Sequence, residues 1–419
     1  MVHSCYEPNN NMYTCSLERM TDKYETFRQY GLQEDGSLIR YALSDDENLA
    51  RAEFVQRMEA IGAIIEMDDL ANMYATLPGS DPSAKRLSMG SHVDSVKNGG
   101  HFDGILGVMA AMEVLETIAK EDIPHKHPVT AMIFTNEEGS LYQPAMMASG
   151  VVFDFFDEAT MLSSKSVLDK TTTFGEALKK SPYTGSADNR MSPDLYEGFL
   201  ELHIEQGPIL EEAQKDIGVV TCVLGMVNYR IRTYGQSDHA GTTPMKNRKD
   251  ALYAASKLIQ YLHDELDKLD SDLVYTTGEI ICHPCVHTVI PDYVDFCIDS
   301  RHESKEVIDQ VVAIIKNIPK EIVGCTTSYE LAWGRETKYF DEKLVGFVKT
   351  SAEELGYSNM LINSGAGHDA QYVASQIPTT MVFSPSKDGH SHCNEESTSI
   401  EQCTAAASVM LNTIMKMDE

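Results

Sequence analysis

The chain has 419 residues, of which 42% are hydrophobic, and a formal charge of −30 from 64 acidic and 34 basic side chains. This length exceeds what one hydrophobic core usually serves, so we expect two domains. The composition excludes collagen-like, coiled-coil and disordered classes. The acidic excess argues against a nucleic-acid partner, because phosphate binding needs clustered Lys and Arg.

Neither membrane insertion nor secretion has a signal in the sequence. The first twenty residues show no basic start followed by an apolar core, and no run of 18 apolar residues occurs. We therefore expect a soluble, cytoplasmic protein with no membrane partner. Nine cysteines scattered over a long chain are typical of reduced thiols. Cys282 and Cys285 have CxxC spacing in a strand-like segment, where we expect ordinary buried thiols.

The first predicted elements are two helices and a β-α-β unit. Helical spacing covers residues 16–33 and 50–61, and residues 63–79 have the pattern of a strand. Residues 86–94 then predict a strand, 104–120 a buried helix and 128–134 a second buried strand. Ligands of a parallel sheet lie beyond the carboxyl ends of its strands, which is where His92, Glu137 and Glu138 fall.

The second half predicts an inserted domain. Residues 160–195 favour short helices and loops, and FLELHIEQGP resumes the pattern of a strand followed by metal-ligand residue types. After residue 212, alternating strands and two amphipathic helices predict a compact α+β sandwich. We therefore expect an α/β fold with a catalytic domain at 1–214 and 331–419, built on a central, mostly parallel sheet flanked by helices, and a smaller domain at 215–330.

Five residues of metal-ligand type follow apolar runs, namely His92, Asp103, Glu138, His203 and His392. Three imidazoles and two carboxylates suffice for two ions if one carboxylate bridges them at about 3.5–4 Å. Asp103 is the predicted bridge, because the neighbouring glycines let its loop approach closely. Each residue alone could be a satisfied polar group or part of a turn. Five in this arrangement favour a metal site.

Two further carboxylates have predicted supporting roles. Asp94, two residues after His92, suits a carboxylate that orients a ligand imidazole. Glu137 is the predicted general base, since a cation lowers the pKa of its bound water and a nearby carboxylate can pass the proton to the leaving nitrogen. Paired glutamates after a strand could instead begin a solvated helix.

Several long strings occur in one order: GSHVDSVKNGGHFDG, ELHIEQGP, GQSDHAGTTPM, SGAGHDA and GHSHCNEE. In them the chain resembles, from about residue 20 to its end, the M20 metallopeptidase superfamily. The resemblance is to its amidohydrolase branch of N-carbamoyl-L-amino-acid hydrolases, allantoate amidohydrolases and β-ureidopropionases. It implies a catalytic domain interrupted by a smaller lid domain that mediates homodimerisation.

The resemblance also implies a ligand set for two divalent ions per subunit. One ion is held by His92, Asp103 and His203, and the other by Asp103, Glu138 and His392. Zinc is the expected metal, and donors of this kind also accept manganese, cobalt or nickel.

The remaining implied site residues bind and activate substrate. His239 reaches the partner subunit's site and stabilises the oxyanion, although a histidine at a strand end can also be structural. Arg301 binds the substrate carboxylate, a role that suits a bidentate guanidinium, and its alternative is a surface ion pair. Gly367 and His368 line the substrate pocket.

Two departures from the branch fall among the substrate contacts. Met226 stands where the branch usually has glutamine, and Thr288 where it has asparagine. Methionine offers only a weak sulfur acceptor in place of an amide. We therefore expect a substrate that keeps its carboxylate but differs from allantoate, with an acyl or unusual carbamoyl group.

Together these features predict a two-metal amidohydrolase that cleaves a linear, non-peptide C–N bond of a small carboxylate-bearing substrate. Metal-activated water attacks, Glu137 acts as base, and His239 stabilises the oxyanion. One alternative is an N-acyl-amino-acid amidohydrolase or dipeptidase of the same superfamily. Others are a catalytically silent relative that binds a small acid, and a thiol oxidoreductase using Cys282 and Cys285.

Overall fold

The computed structural model describes residues 12–419. Of the first twenty residues, in which the sequence shows no leader pattern, the first eleven lie outside the described range. The strands are β1 (Ile64–Met67), β2 (Met73–Leu77), β3 (Arg86–His92), β4 (Val129–Phe134), β5 (Tyr196–Ile204), β6 (Ile217–Val223), β7 (Gly225–Tyr234), β8 (Val274–Thr276), β9 (Ile280–His283), β10 (Tyr293–His302), β11 (Glu321–Ile322), β12 (Cys325–Arg335), β13 (Lys338–Tyr339), β14 (Asn359–Ser364) and β15 (Thr379–Ser384).

The α-helices are α1 (Leu17–Phe27), α2 (Asp45–Ala60), α3 (Ile105–Lys120), α4 (Met147–Val152), α5 (Glu158–Leu162), α6 (Phe174–Lys180), α7 (Ile209–Glu212), α8 (Ala251–Leu266), α9 (Lys305–Lys316), α10 (Glu342–Glu354), α11 (Ala370–Val373) and α12 (Ile400–Asp418). Among these helices, not one is both long enough and apolar enough to span a bilayer.

The larger sheet is parallel at its centre and antiparallel at its edges. Its strand order is β1-β2-β4-β3-β5-β15-β6-β13, and β14 also pairs with β6. The neighbours β4, β3, β5 and β15 are parallel. The pairs β1–β2, β2–β4, β15–β6 and β6–β13 are antiparallel. The predicted α/β fold is confirmed. The expectation of a mostly parallel sheet is correct only for the four central strands.

β3, α3 and β4 form the predicted β-α-β unit. The two strands pair in parallel from Leu87 with Val129 to His92 with Phe134. α3 packs on β3, β4 and β5 and is buried along most of its length. The chain beyond β3 therefore emerges at the edge of the sheet where the central parallel strands end.

Contacts divide the chain into two compact units. One extends to Thr221 and resumes at Phe340, and the other extends from Cys222 to Tyr339. The sequence predicts limits of 215 and 330 for the inserted domain. β6 still belongs to the larger sheet at Val220, and β12 continues to Arg335, so the compact smaller unit begins and ends several residues later.

The smaller unit is an antiparallel sheet with helices on one face. Its order is β11-β12-β7-β10-β8, with β9 also paired to β10. In β7, Val227, Tyr229 and Ile231 join the core formed with α8 and α9. The alternate positions, such as Arg230 and Arg232, lie on the opposite, polar face. The expected two helices are present, with six strands where about four are expected.

The described cysteines are all free. Of the strand predicted around Cys282 and Cys285, only Ile280–His283 is extended. Cys282 is half-buried at its end, and Cys285 is exposed in the following turn. The expectation of buried thiols is therefore wrong for Cys285, because the proline at 284 cannot continue the strand ladder.

Candidate metal and active site

Six candidate residues lie at the carboxyl ends of the central strands or in the loops that follow: His92 (end of β3), Asp103 (after β3), Glu137 and Glu138 (after β4), His203 (β5) and His392 (after β15). Because neighbouring parallel strands end at the same edge of a sheet, these side chains converge there. Four of the six are buried, Glu138 is half-buried with only 5% of its side chain exposed, and His392 is exposed.

Two groups of potential ligand atoms share Asp103. One consists of His92, Asp103 and His203, and the other of Asp103, Glu138 and His392. Within each group the ligand atoms lie within 4.8 Å of one another. Both groups coincide with the two ligand sets that the sequence resemblance implies.

The Asp103 carboxylate divides its two oxygens between the groups. Oδ1 lies 3.5 Å from Nε2 of His92 and 3.3 Å from Nε2 of His203. Oδ2 lies 3.3 Å from Nε2 of His392, which in turn is 3.7 Å from Oε2 of Glu138. One carboxylate can therefore contribute an oxygen to each group, as a bridging ligand does.

The donor set fits divalent metal ions. The nitrogen–oxygen distances around Asp103 exceed those of good hydrogen bonds, which are about 2.7–3.2 Å, and are compatible with ligands around a common ion. Oε1 of Glu138 is buried and accepts no hydrogen bond from the described residues. Imidazole nitrogens and carboxylate oxygens of this number suit zinc, manganese, cobalt or nickel.

Backbone carbonyls orient two of the imidazoles. Nδ1 of His92 lies 3.0 Å from the carbonyl oxygen of Asp94, and Nδ1 of His203 lies 2.9 Å from that of Ile204. A proton on each Nδ1 leaves the lone pair on Nε2, the atom that faces Asp103. In agreement, Nε2 of His203 accepts the backbone N–H of Gly104 at 3.1 Å.

The carboxylate of Asp94 supports the two glutamates more directly than it supports His92. It accepts the backbone N–H groups of Glu137 and Glu138, each at 3.1 Å. Its nearest approach to Nδ1 of His92 is 3.7 Å. The backbone carbonyl of Asp94 thus orients His92, a role that the sequence predicts for the Asp94 carboxylate. That carboxylate instead holds the turn that carries Glu137 and Glu138.

Burial and mutual charge dominate the electrostatics of the site. Burial alone would raise the pKa of Asp103, but the imidazoles around it, His203 foremost, hold that pKa well below its usual range. Burial raises the pKa of Glu137 well above normal, despite His92. Burial and the Asp103 carboxylate raise the pKa of Glu138 to about 8. A bound cation acts in the opposite direction and favours the ionised carboxylates.

His368 lies behind the candidate ligands. It is 1% exposed, its Nε2 is 2.9 Å from the Ser364 hydroxyl, and its ring meets that of His203 edge-on with centroids 4.6 Å apart. The neighbouring Gly367 is half-buried. The structure therefore packs His368 against the imidazole of the candidate ligand His203, and a place for His368 in a substrate pocket stays a prediction.

Gln206 and Glu396 join the site without having been singled out by the sequence. Nε2 of Gln206 donates to Oδ2 of Asp103 at 2.6 Å, and Glu396 accepts the backbone N–H of Asp103 at 3.1 Å. Each lies in a motif that also contains a candidate ligand, Gln206 in ELHIEQGP and Glu396 in GHSHCNEE. The available signal was their spacing, because each stands three or four residues after a candidate ligand.

His239 and Thr288 lie on paired segments of the smaller unit. His239 bridges Val289, and the backbone N–H of Ala240 donates to the Thr288 carbonyl at 2.9 Å. Nδ1 of His239 accepts the N–H of Gly241 at 2.9 Å. The proton of a neutral His239 ring therefore resides on Nε2, and the side chain is exposed.

Arg301 and Met226 are directly opposite each other on β10 and β7. On the other side of β7, Met226 is opposite Arg335 of β12. Met226 is 2% exposed, and Nε of Arg301 donates to Asp299 at 2.7 Å. Met226, where the resemblance implies a glutamine, therefore lies on a strand between two others that each place an arginine opposite it.

Known proteins resemble this chain along nearly its whole length. An N-carbamoyl-L-amino-acid amidohydrolase of Rhizobium meliloti is 34% identical over 96% of this chain and 97% of that protein. An allantoate amidohydrolase of Bacillus subtilis is 33% identical over 95% and 97%. The solved structure of an amidase of the hydantoinase/carbamoylase family from Burkholderia multivorans superposes with a TM-score of 0.89 at 35% identity, covering 96% and 98%.

A family model also matches most of the chain. Residues 78–416 match the model of peptidase family M20/M25/M40, whose hydrolases are metal-dependent. That range includes all six candidate residues at the ends of the central strands. The chain therefore belongs to peptidase family M20/M25/M40.

Proposed function

We propose that this chain is a metal-dependent amidohydrolase that cleaves a linear, non-peptide C–N bond of a small substrate bearing a carboxylate. The observation that carries the proposal is the sharing of Asp103 by two ligand groups, with Glu137 beside them. The names of the relatives, N-carbamoyl-L-amino-acid and allantoate amidohydrolase, support a carbamoyl or ureido group.

His92, Asp103 and His203 would hold one ion, and Asp103, Glu138 and His392 the other. When bound, such ions polarise the scissile carbonyl and lower the pKa of an attacking water. Glu137 is the base in this proposal. Its Oε2 is 3.6 Å from Nε2 of His92, and it takes a proton from the attacking water and passes it to the leaving nitrogen.

Two residues of the smaller unit complete the proposed chemistry. His239 carries its proton on Nε2 and can donate it to a developing oxyanion, and we propose that it does so in the site of a partner subunit within a homodimer. Arg301 would bind the substrate carboxylate, with its guanidinium oriented through the bond from Nε to Asp299.

We further propose that the substrate differs from allantoate. The buried Met226, beside Arg301, cannot replace the hydrogen bonds of an amide. The exposed Thr288 offers a hydroxyl with one donor in place of the two of asparagine. Both changes favour a carbamoyl compound that is less polar next to the scissile bond than allantoate is, and an acyl group in that place is the alternative that the screen distinguishes.

A substrate screen tests the proposal. The protein reconstituted with Zn²⁺ or Mn²⁺ is incubated with N-carbamoyl, ureido, N-formyl and N-acetyl acids, and released ammonia and free amine are both measured. We expect ammonia and amine from a carbamoyl compound and loss of turnover after chelation. Glu137→Gln should lower kcat by about 10²–10⁴-fold, the usual contribution of a general base, while bound metal is retained.

The alternatives give different outcomes in the same screen. Amine without ammonia identifies an N-acyl-amino-acid amidohydrolase, and cleavage of dipeptides identifies a dipeptidase. Binding of small acids without turnover, unaffected by Glu137→Gln, identifies a silent binder. Activity that resists chelators but is lost in Cys282→Ser identifies a thiol enzyme. Rapid turnover of allantoate contradicts the proposed substrate difference.

A further inference from the structure

Glu396 connects the segment that carries His392 to the loop that carries Asp103. Its side chain is buried, with 4% of the residue exposed. Oε1 accepts the backbone N–H groups of Phe102 at 2.9 Å and of Asp103 at 3.1 Å. One carboxylate oxygen thus satisfies two consecutive main-chain donors next to the candidate bridging ligand.

The second oxygen of Glu396 reaches Asp103 through a hydroxyl. Oε2 accepts from the Ser391 hydroxyl at 3.2 Å. The same hydroxyl lies 3.0 Å from Oδ2 of Asp103, the oxygen that faces His392. The single proton of this hydroxyl can be donated to either oxygen. Glu396 therefore contacts the main chain of Asp103 directly, and shares the Ser391 hydroxyl with the Asp103 side chain.

The Asp103 loop is shaped to accept the Glu396 side chain. A Cβ added at Gly100 would lie 2.3 Å from both Cβ and Oε1 of Glu396, closer than real carbon contacts. Only glycine allows this approach at position 100. The close fit leaves the loop little freedom to move while Glu396 is in place.

Orientation matters more for Asp103 than for any other candidate ligand. It is the one residue that belongs to both ligand groups, so a rotation of its main chain alters both together. Loss of Glu396 would leave two buried N–H groups without their acceptor, and the loop would rearrange to satisfy them.

We propose that Glu396 is a positioning residue of the metal centre: it holds residues 102–103 so that the Asp103 carboxylate points between the two ligand groups. The inference rests on the proposed metal site. Glu396 acts through hydrogen bonds to the main chain of residues 102–103, and neither candidate ligand group includes it.

Metal binding tests this role apart from catalysis. Affinity and stoichiometry for Zn²⁺ and Mn²⁺ are measured by chelator competition for the wild type, Glu396→Ala and Glu396→Gln. We expect Glu396→Ala to weaken binding about 10–100-fold, as loss of partners of metal ligands does. Glu396→Gln should bind nearly as well as the wild type, because its amide oxygen can accept the same two N–H groups. Glu395→Gln, at the exposed neighbouring position, is the matched control.

The alanine and glutamine variants distinguish a positioning role of Glu396 from an effect of its negative charge. Wild-type affinity in Glu396→Ala overturns the inference, and so does a Glu396→Gln variant as weak as the alanine variant, since charge alone would then matter. The absorption spectrum of the Co²⁺-loaded protein should change in Glu396→Ala only. If Glu396→Ala does not fold, Glu396→Asp replaces it. Its carboxylate is one methylene shorter and cannot accept both N–H groups in the same way, so a smaller loss of affinity is expected, and an unchanged affinity overturns the inference. A wild type that binds no metal refutes the proposed function itself.

Discussion

Gly104 shows how closely a single residue can constrain the candidate site. Its φ of 65° lies in the left-handed region, which disfavours side chains. A Cβ at this position would lie 2.2 Å from Cε1 of His92. Gly104 also follows Asp103 directly and precedes α3. A side chain here would displace the His92 imidazole and the Asp103 loop together.

Gly104→Ala is therefore expected to impair function strongly. A misplacement of about 1 Å can lower turnover about 10²-fold, and metal affinity should fall with it. Turnover and metal binding are measured beside Gly346→Ala in α10, where an added Cβ meets nothing within 4 Å. That control should be unchanged in activity. Full metal affinity in Gly104→Ala would show that His92 can shift without consequence.

At this scale the sequence identifies candidate ligands more readily than it identifies the residues that support them. Each candidate ligand follows an apolar run, so local pattern and sheet topology suffice to bring them together. The contacts of Glu396 with Phe102 join residues almost 300 positions apart, and no local pattern reveals them. A motif likewise records the identity of His368 but not which way its ring points, and the structure packs that ring against His203.

Among the elements, α1 is attached to α3 by a buried group of charges. Nζ of Lys23 lies 2.8 Å from Oε2 of Glu113 and 2.7 Å from Oε2 of Glu116. Arg19 also pairs with Glu113, at 2.6 Å. The side chains of Lys23 and Glu113 are both fully buried. Charges taken out of water in this way depend on each other for compensation.

Lys23→Met should destabilise the protein by about 3–5 kcal/mol, because removing one partner leaves buried carboxylates undercompensated. Lys120→Met is a matched control, since Lys120 pairs with the same Glu116 but is 54% exposed. Exposed pairs contribute about 0–1 kcal/mol. Urea unfolding monitored by circular dichroism compares the two. Equal midpoints would show that Arg19 compensates Glu113 without Lys23.

Helices and strands can be predicted from the sequence where one hydrophobic pattern continues through the whole element. α3 and β4 are largely apolar along their length, β3 alternates apolar with small or polar residues, and all three lie where the sequence predicts them. Residues 63–79 were predicted as one strand but form β1 and β2, because a turn interrupts them. The Asp68 carboxylate accepts the backbone N–H groups of Leu70 and Asn72, both at 2.9 Å. Such a side-chain turn is hard to distinguish from a solvent-facing aspartate in a strand.

At the scale of the whole molecule, net charge is the dominant property. A charge of −30 repels itself in the folded state. Raising NaCl from 0.01 to 0.1 M shortens the Debye length from about 30 to about 10 Å. We expect the melting temperature to rise by about 1 °C for each 1 kcal/mol of repulsion that the salt screens, since a chain of this length has a large entropy of unfolding. Calorimetry at constant pH measures it, and a falling melting temperature would show that attractive ion pairs outweigh the net repulsion.

Domain limits could be predicted only approximately for a physical reason. Composition changes near residue 215, where alternation begins, but β6 is one continuous strand from Ile217 to Val223. Its first part pairs with β15 and its last two residues pair with β13. Because β6 is continuous, its residue pattern does not change at Thr221, where one compact unit ends and the other begins.

The pairing of β6 with β13 has a consequence for how such a protein can change over time. Cys222 pairs with Tyr339, and Val223 with Lys338, so the smaller unit begins and ends at adjacent residues. The N–H of Phe340 also donates to the carbonyl of Thr221, at 2.9 Å. A segment whose two ends meet can be gained, lost or exchanged in one genetic step without stretching the host chain. The larger unit, which carries the candidate metal ligands, and the smaller unit, which carries Met226 and Arg301, can therefore evolve as separate modules of one gene.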